Sequence, residues 1–375
     1  MTSFALLPFV VRLSGYLKKR GLACSCRIEG VETFLLGRGE PQCTFTFNGS
    51  RWFCLLAAYP HLTTFAWLYL NGHVDGEGDW MSFAKIVDTF GVSRLPRFLE
   101  GVLANSPLSQ RTHYDWSTAA YACFLDDPYM QYTCGRLDNG NVVTLEEAQI
   151  AKLRHIAEGL KPRAGERHLD SGCGWGGLTR YFTETFGTVS DGITISSEQA
   201  AFARKHVPSE QARFLVTGFE AHTPAEPYDL VTVVGMLEHV PIRRHGEFFN
   251  WLSARVRRGG RVYLQCITAT HAPTTDRVRL LNRYVFEHEL SRIEDTLSLA
   301  SAAGFRVVSV EEAHNDYAFT TWEWVERIRA RRDEILQHLN GDEWVYRVLL
   351  GYLTLASLSL TEERSHLHRV FFVKE

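Results

Sequence analysis

The segment Leu169-Asp170-Ser171-Gly172-Cys173-Gly174-Trp175-Gly176-Gly177 constrains this chain more than any other. It follows a short apolar run of strand character and precedes residues 178–186, whose apolar spacing is helical. Three glycines at alternate positions let a backbone turn tightly and come close to a ligand. Dinucleotide folds favour Gly-x-Gly-x-x-Gly, with a pyrophosphate at the helix N-terminus. Here the spacing is Gly-x-Gly-x-Gly, with Asp170 two residues before the first glycine. A carboxylate there suits a cationic amino-acid moiety better than a pyrophosphate. S-adenosylmethionine carries such a moiety and a sulfonium, and is the expected cofactor. NAD or another nucleotide, and a purely structural turn, are the competing readings.

The surrounding pattern supports an open α/β sheet. Thr144 followed by Glu147 reads as a capping box opening a helix over 145–160. Strands are expected at 167–169, 189–195, 212–216, 228–234 and 261–267, the last after a turn at Arg258-Gly259-Gly260. Helices are expected at 178–186, 198–206 and 246–256. Alternation at this spacing predicts a mostly parallel sheet with helices on both faces. Residues 275–355 read as mostly helical, with strands near 306–310 and 370–373. The first hundred residues look different. Strands are expected at 43–47 and 52–57, and helices at 3–20, 80–90 and 96–104, followed by a linker at 105–109. This divides the chain into a small α+β domain, 1–108, and a larger domain, 109–375, with a C-terminal helical segment at its substrate pocket.

Composition narrows the function classes. Forty basic and 43 acidic residues nearly balance, giving a net charge of −3, which disfavours a nucleic-acid protein with a wholly basic surface. Eight cysteines show no zinc spacing and no dense framework, so reduced thiols and no metal site are expected. No uninterrupted apolar run approaches the roughly 20 residues needed to span a bilayer. The 3–20 helix has its charges, Arg12 and Lys18 to Arg20, after the apolar stretch, the reverse of a signal peptide. The expected location is cytoplasmic.

With the glycine loop, Gly192-Ile193-Thr194-Ile195-Ser196-Ser197-Glu198-Gln199 resembles the cyclopropane fatty acid synthase and mycolic acid cyclopropane synthase family of S-adenosylmethionine-dependent methyltransferases. So do His113-Tyr114-Asp115, the run from Leu125 to Gly135, Gly235-Met236-Leu237-Glu238-His239-Val240, Asn282 to Phe286, and Tyr317 with Trp324. The resemblance covers nearly the whole chain. It implies a Rossmann-like class I methyltransferase domain beside the small N-terminal domain. It also implies methyl transfer to the double bond of an unsaturated acyl chain through a carbocation.

Carried over by position, the resemblance implies that Tyr132 and Thr133 contact the cofactor from a lid segment. Gly172, Gly174 and Gly176, with Asp170, would form the methionine side. Thr194 and Gln199 would lie near the ribose, and Phe219 and Glu220 against the adenine. In cyclopropane synthases a bound bicarbonate serves as base. Cys134, Glu238, Ile267 and Tyr317 match its site, but Gln265 stands where the family has His. A neutral amide donates a hydrogen bond to an anion but relays no proton, which puts bicarbonate in question. Arg136-Leu137 replaces the usual aromatic pair after Cys134-Gly135. Trp116-Ser117-Thr118 replaces the usual sequence after Asp115. These departures keep a second reading open, a C- or N-methyltransferase of a small secondary metabolite, with Glu238 and His239 deprotonating an amine. A phospholipid substrate would place residues 3–20, and the basic clusters Lys18–Arg20, Arg243-Arg244 and Arg327–Arg332, at an inner membrane surface. A homodimer is left open.

Overall fold

In the computed structural model, the described residues are 3–90, 117–138, 144–207, 210–269 and 289–375. The expected helix 96–104, the linker 105–109, the His113 segment and residues 282–286 lie outside them. The chain divides into two units. The described residues of the first lie within Met1–Arg111 and Asp342–Leu358, and those of the second within Thr112–Thr275, Phe286–Gly341 and Ser359–Glu375.

The first unit holds a four-stranded sheet of β1 (Ala23–Ile28), β2 (Val31–Gly37), β3 (Cys43–Phe47) and β4 (Val74–Gly78), in the order β2-β1-β3-β4. β1 and β3 are parallel; the other pairs are antiparallel. The strand expected at 52–57 is instead part of helix Ser50–Ala58. Its run Trp52-Phe53-Cys54-Leu55-Leu56-Ala57 is short and continuously apolar, a pattern that periodicity alone does not resolve. Burial of Phe53 and Leu56, three apart, decides for the helix. Asp79 caps helix Trp80–Val87 by accepting from Met81 and Ser82 N–H.

Helix Glu343–Thr361 joins this unit through Leu358, so the partition is discontinuous, unlike a single boundary at 108. Two polar contacts account for it. The Arg347 guanidinium grips Asp75 with bonds of 2.7 and 2.9 Å, and Trp80 Nε1 donates to Thr354 Oγ1 at 2.6 Å. This helix is long and apolar enough to cross a bilayer by length and composition, but 61% of its most apolar window is buried inside the protein. A small apolar cavity opens between it and residues 62–87, lined by Leu62, Phe65, Tyr69, Trp80 and Phe83.

The second unit carries the expected sheet. Its strands are β5 (Arg167–Ser171), β6 (Val189–Thr194), β7 (Ala212–Val216), β8 (Tyr228–Val234), β9 (Val256–Ala269), β10 (Phe305–Glu312) and β11 (Ser365–Lys374), in the order β10-β11-β9-β8-β5-β6-β7. β5 to β9 are parallel; β11 runs antiparallel between β9 and β10. The sheet core is Leu169, Ile193, Val231, Val233, Val262 and Leu264 with aromatic residues of helix His245–Arg255. The turn expected at 258–260 lies inside β9. Register jumps from Tyr228↔Val256 to Leu230↔Arg261, so the extra residues are absorbed as a bulge with Gly259 at φ 72°. All eight cysteines are free thiols.

Candidate active site

β5 ends at Ser171, and helix Gly177–Phe186 begins after the glycine loop. Gly172, Gly174 and Gly176 all have positive φ, at 83°, 54° and 84°. Each answers a different need. A Cβ on Gly172 would lie 2.9 Å from the Met236 side chain, and one on Gly176 would lie 2.9 Å from Ala203 and Phe214. A Cβ on Gly174 would meet nothing within 4 Å, so this residue faces open space. Ser171 Oγ is buried without a partner at the loop entrance. An open, backbone-lined cradle with an unused hydroxyl fits the methionine end of S-adenosylmethionine.

Asp170 is anchored within the protein. Its two oxygens accept from Thr179 and Thr232, each at 2.9 Å, and burial pushes its carboxyl up to about 6. These bonds tie the loop strand to the helix and to β8, and each oxygen keeps a further acceptor site. Thr194 Oγ1 donates to Gln199 Oε1 at 2.9 Å and accepts Ser196 N–H, so these two residues meet at the end of β6. Phe219 and Glu220 part company. Phe219 is buried edge-on to Phe248 and Trp251, whereas Glu220 is exposed and accepts from Arg244.

The segment carrying Tyr132, Thr133 and Cys134 is pinned from three sides. Gln149 donates to Thr133 O at 2.8 Å, and Lys152 Nζ donates to Thr133 Oγ1 at 2.7 Å. Thr320 Oγ1 accepts Gly135 N–H at 3.0 Å. From β11, Arg369 donates to Gly135 O at 2.7 Å. Lys152 has no exposed surface, and burial pushes its ammonium down to about 7, with Asp126 pulling the other way. Arg369 is equally buried and bonds Asp316 at 2.7 Å and Glu311 at 3.1 Å. Arg136 completes this cluster with two bonds to Glu311, at 2.7 and 2.8 Å. The departure at Arg136 therefore serves an internal ion-pair network. Sequence reasoning missed Lys152 and Arg369. The available signal was a charge at 152 between Ala148 and Ile156, all three on one helical face.

Cys134 and Leu367 form a buried cluster with Ala313, against which Ile267 and Tyr317 pack. Ile267 N–H donates to Glu238 Oε1 at 2.6 Å; Glu238 Oε2 is buried without a partner, and burial pushes this carboxyl up to about 7. Gln265 donates to Cys134 O at 3.5 Å and accepts from Tyr263 at 3.1 Å. Cys134, Glu238, Gln265, Ile267 and Tyr317 are thus brought together. His239 is not. It is exposed where Glu238 is buried. The Cys134 thiol, pushed up to about 12 by burial, donates to Gly135 O and stays protonated near neutral pH. An aromatic wall runs from the glycine loop to Tyr317. Trp175 meets Tyr121 at 4.8 Å between ring centroids, Tyr121 meets Tyr132 at 5.3 Å, Tyr132 meets Trp324 at 4.9 Å, and Trp324 meets Tyr317 at 6.3 Å.

The basic clusters are largely neutralised within this unit. Arg244 pairs with Glu220 and Glu247, Arg327 with Glu146, Arg329 with Glu326, and Arg331 with Glu334.

Residues 105–370 match the family described as mycolic acid cyclopropane synthetase. The chain is 28% identical over 335 residues to a probable fatty acid methyltransferase of Pseudomonas putida, covering 84% of this chain and 83% of that protein. It is also 28% identical to sphingolipid C9-methyltransferase 1 of Gibberella zeae, over 79% of this chain but only 62% of the relative's length. Among solved structures, a mycolic acid cyclopropane synthase complexed with SAH and CTAB matches with a TM-score of 0.65 and 27% identity, covering 70% of this chain and 96% of that one.

Proposed function

Since the chain belongs to the mycolic acid cyclopropane synthetase family, we propose that it is an S-adenosylmethionine-dependent methyltransferase acting on the double bond of an unsaturated lipid acyl chain. The observation that carries this reading is the buried Glu238 carboxyl, with one free oxygen, placed within the cluster of Cys134, Gln265, Ile267 and Tyr317. Gly172, Gly174 and Gly176 would hold the methionine end of the cofactor, Thr194 and Gln199 the ribose, and Tyr132 and Thr133 the lid side. When bound, S-adenosylmethionine supplies an electrophilic methyl group.

An alkene that accepts a methyl group gains positive charge on carbon. Tyr132 and Tyr317, half-buried on either side of Trp324, are aromatic groups of the kind that stabilise such charge. The product forms when a neighbouring carbon loses a proton, and a buried base away from water is needed for that step. Glu238 Oε2 takes that role. Its raised pKa keeps it basic enough near neutral pH, and the Ile267 N–H holds the other oxygen. Gln265, a neutral amide, can donate to an anion but relays no proton. Bicarbonate is therefore not the base in this reading. The exposed position of His239 counts against the amine reading.

The test is the rate of methyl transfer to unsaturated phospholipid vesicles in bicarbonate-depleted and bicarbonate-replete buffer. Equal rates are expected. A rate that requires bicarbonate would remove Glu238 as the proton acceptor.

A further inference from the structure

β10 ends at Glu312, and helix His314–Ala330 starts two residues later. β11 returns beside this corner, with Glu312 opposite His368 and Ala313 N–H donating to Leu367 O at 2.8 Å. The register delivers His366 to the same spot. His314 Nδ1 lies 2.7 and 2.8 Å from the two Glu312 oxygens, and His366 Nδ1 lies 3.1 Å from Oε1. The three donor atoms all lie within 4.8 Å of one another. On the far side of the His314 ring, Glu363 Oε1 is 3.8 Å from Nε2.

Two imidazole nitrogens converging on one carboxylate can each donate Nδ1–H to it, or share a cation with it. With neutral rings and no cation, both mobile protons sit on Nδ1, and His314 Nε2 then turns a lone pair toward the Glu363 carboxylate. A divalent cation removes that conflict. The Nδ1 lone pairs and a Glu312 oxygen become ligands, each ring carries its proton on Nε2, and His314 Nε2–H faces Glu363. A carboxylate behind a metal-bound histidine is the usual outer support of such sites. Two nitrogens and one carboxylate oxygen, with solvent for the remaining position, suit Zn²⁺ best among common ions.

We propose that Glu312, His314 and His366 form a Zn²⁺-class metal site, with Glu363 orienting His314. The site lies at the opening turn of the helix that carries Tyr317, and it fastens that turn to β11. The site stands whether or not the chain transfers methyl groups. The other cluster of donors, Cys123, Glu334 and His338, is less suited. Glu334 is held by Arg331, and the Cys123 thiol is raised by burial.

The test is Zn²⁺ titration of the chelator-stripped full chain by calorimetry and thermal melting, together with the Co²⁺ absorption spectrum. One equivalent should bind and raise the melting temperature. The Co²⁺ spectrum should show visible d–d bands without a thiolate charge-transfer band. Glu363→Gln should weaken binding by about tenfold or more. His314→Ala/His366→Ala should abolish it, and Cys123→Ser/His338→Ala should leave it unchanged. Absence of stoichiometric binding, a thiolate band, or loss of binding in the Cys123/His338 variant would overturn the proposal. The wild-type spectrum decides even if the double histidine variant fails to fold.

Discussion

Ile267 N–H holds one oxygen of Glu238 at 2.6 Å and leaves the other buried and unpartnered. Burial lifts the carboxyl to about 7 from an ordinary 4.5, and the Ile267 bond acts against that rise. Activity should therefore climb as pH rises through about 7 and level off above it, as the carboxylate becomes the base. Glu238→Gln should lower kcat by about 100- to 10,000-fold. Stability should move oppositely. A carboxyl with a raised folded pKa favours the fold at low pH, and that contribution is lost as pH rises from about 4.5 through about 7. Above this window the buried charge costs on the order of 3 kcal/mol. Thermal melts at pH 8 should show the Gln variant more stable than the parent, and the difference should vanish near pH 4.

Lys152 Nζ donates one hydrogen bond to Thr133, the residue proposed for the cofactor's lid side. A hydrogen bond from a charged donor contributes about 1.5 kcal/mol or more, so Lys152→Met should weaken cofactor binding roughly tenfold. Calorimetric titration with S-adenosylhomocysteine measures this directly. Unchanged affinity would detach Thr133 from the cofactor site.

Neighbouring glycines should respond unequally to alanine. At Gly177 the new Cβ would lie 2.0 Å from the Tyr129 carbonyl oxygen, a backbone atom that no rotamer change can move. At Gly174 it would enter open space, with only the strain of φ 54°. Gly177→Ala should destabilise by about 1–3 kcal/mol or more and abolish cofactor binding. Gly174→Ala should fold with a loss of about 1–2 kcal/mol from backbone strain alone, and its cofactor affinity reports how closely a ligand approaches that position.

Arg369 connects the Cys134–Gly135 turn to Asp316, the residue before Tyr317, and to Glu311. Removing it strands Asp316, while Glu311 keeps Arg136. Arg369→Met should cost about 3–5 kcal/mol in denaturant unfolding. Arg369→Lys, which keeps the charge but not the fork, should recover part of that loss. A neutral outcome for the Met variant would mean the cluster is held by other contacts.

The larger unit was legible because the glycine loop marks the end of β5 and β8 reads Tyr-Asp-Leu-Val-Thr-Val-Val, a largely apolar buried strand. The Thr144–Glu147 capping box formed as its pattern implied. The N-terminal unit was less legible. β1 and β2 carry cysteine and polar residues, and β4 is Val-Asp-Gly-Glu-Gly, which reads as a turn until it pairs with β3. Residues 52–57 are too short and too uniformly apolar to show a period. In the site, positions were legible and partners were not. The loop position of Asp170 was legible, but its bonds to Thr179 and Thr232 were not. Glu312 and His366 are 54 residues apart, and only the β10–β11 register joins them.

The central claim is that the chain methylates an unsaturated acyl group. The most direct measurement is mass spectrometry of phospholipid vesicles incubated with the protein and methyl-labelled S-adenosylmethionine, comparing unsaturated with saturated acyl chains. The account predicts a gain of one labelled CH2 on the unsaturated chains alone, lost in Glu238→Gln. No transfer to either lipid by a protein that demonstrably binds the cofactor, or equal labelling of saturated and unsaturated lipid, would contradict it.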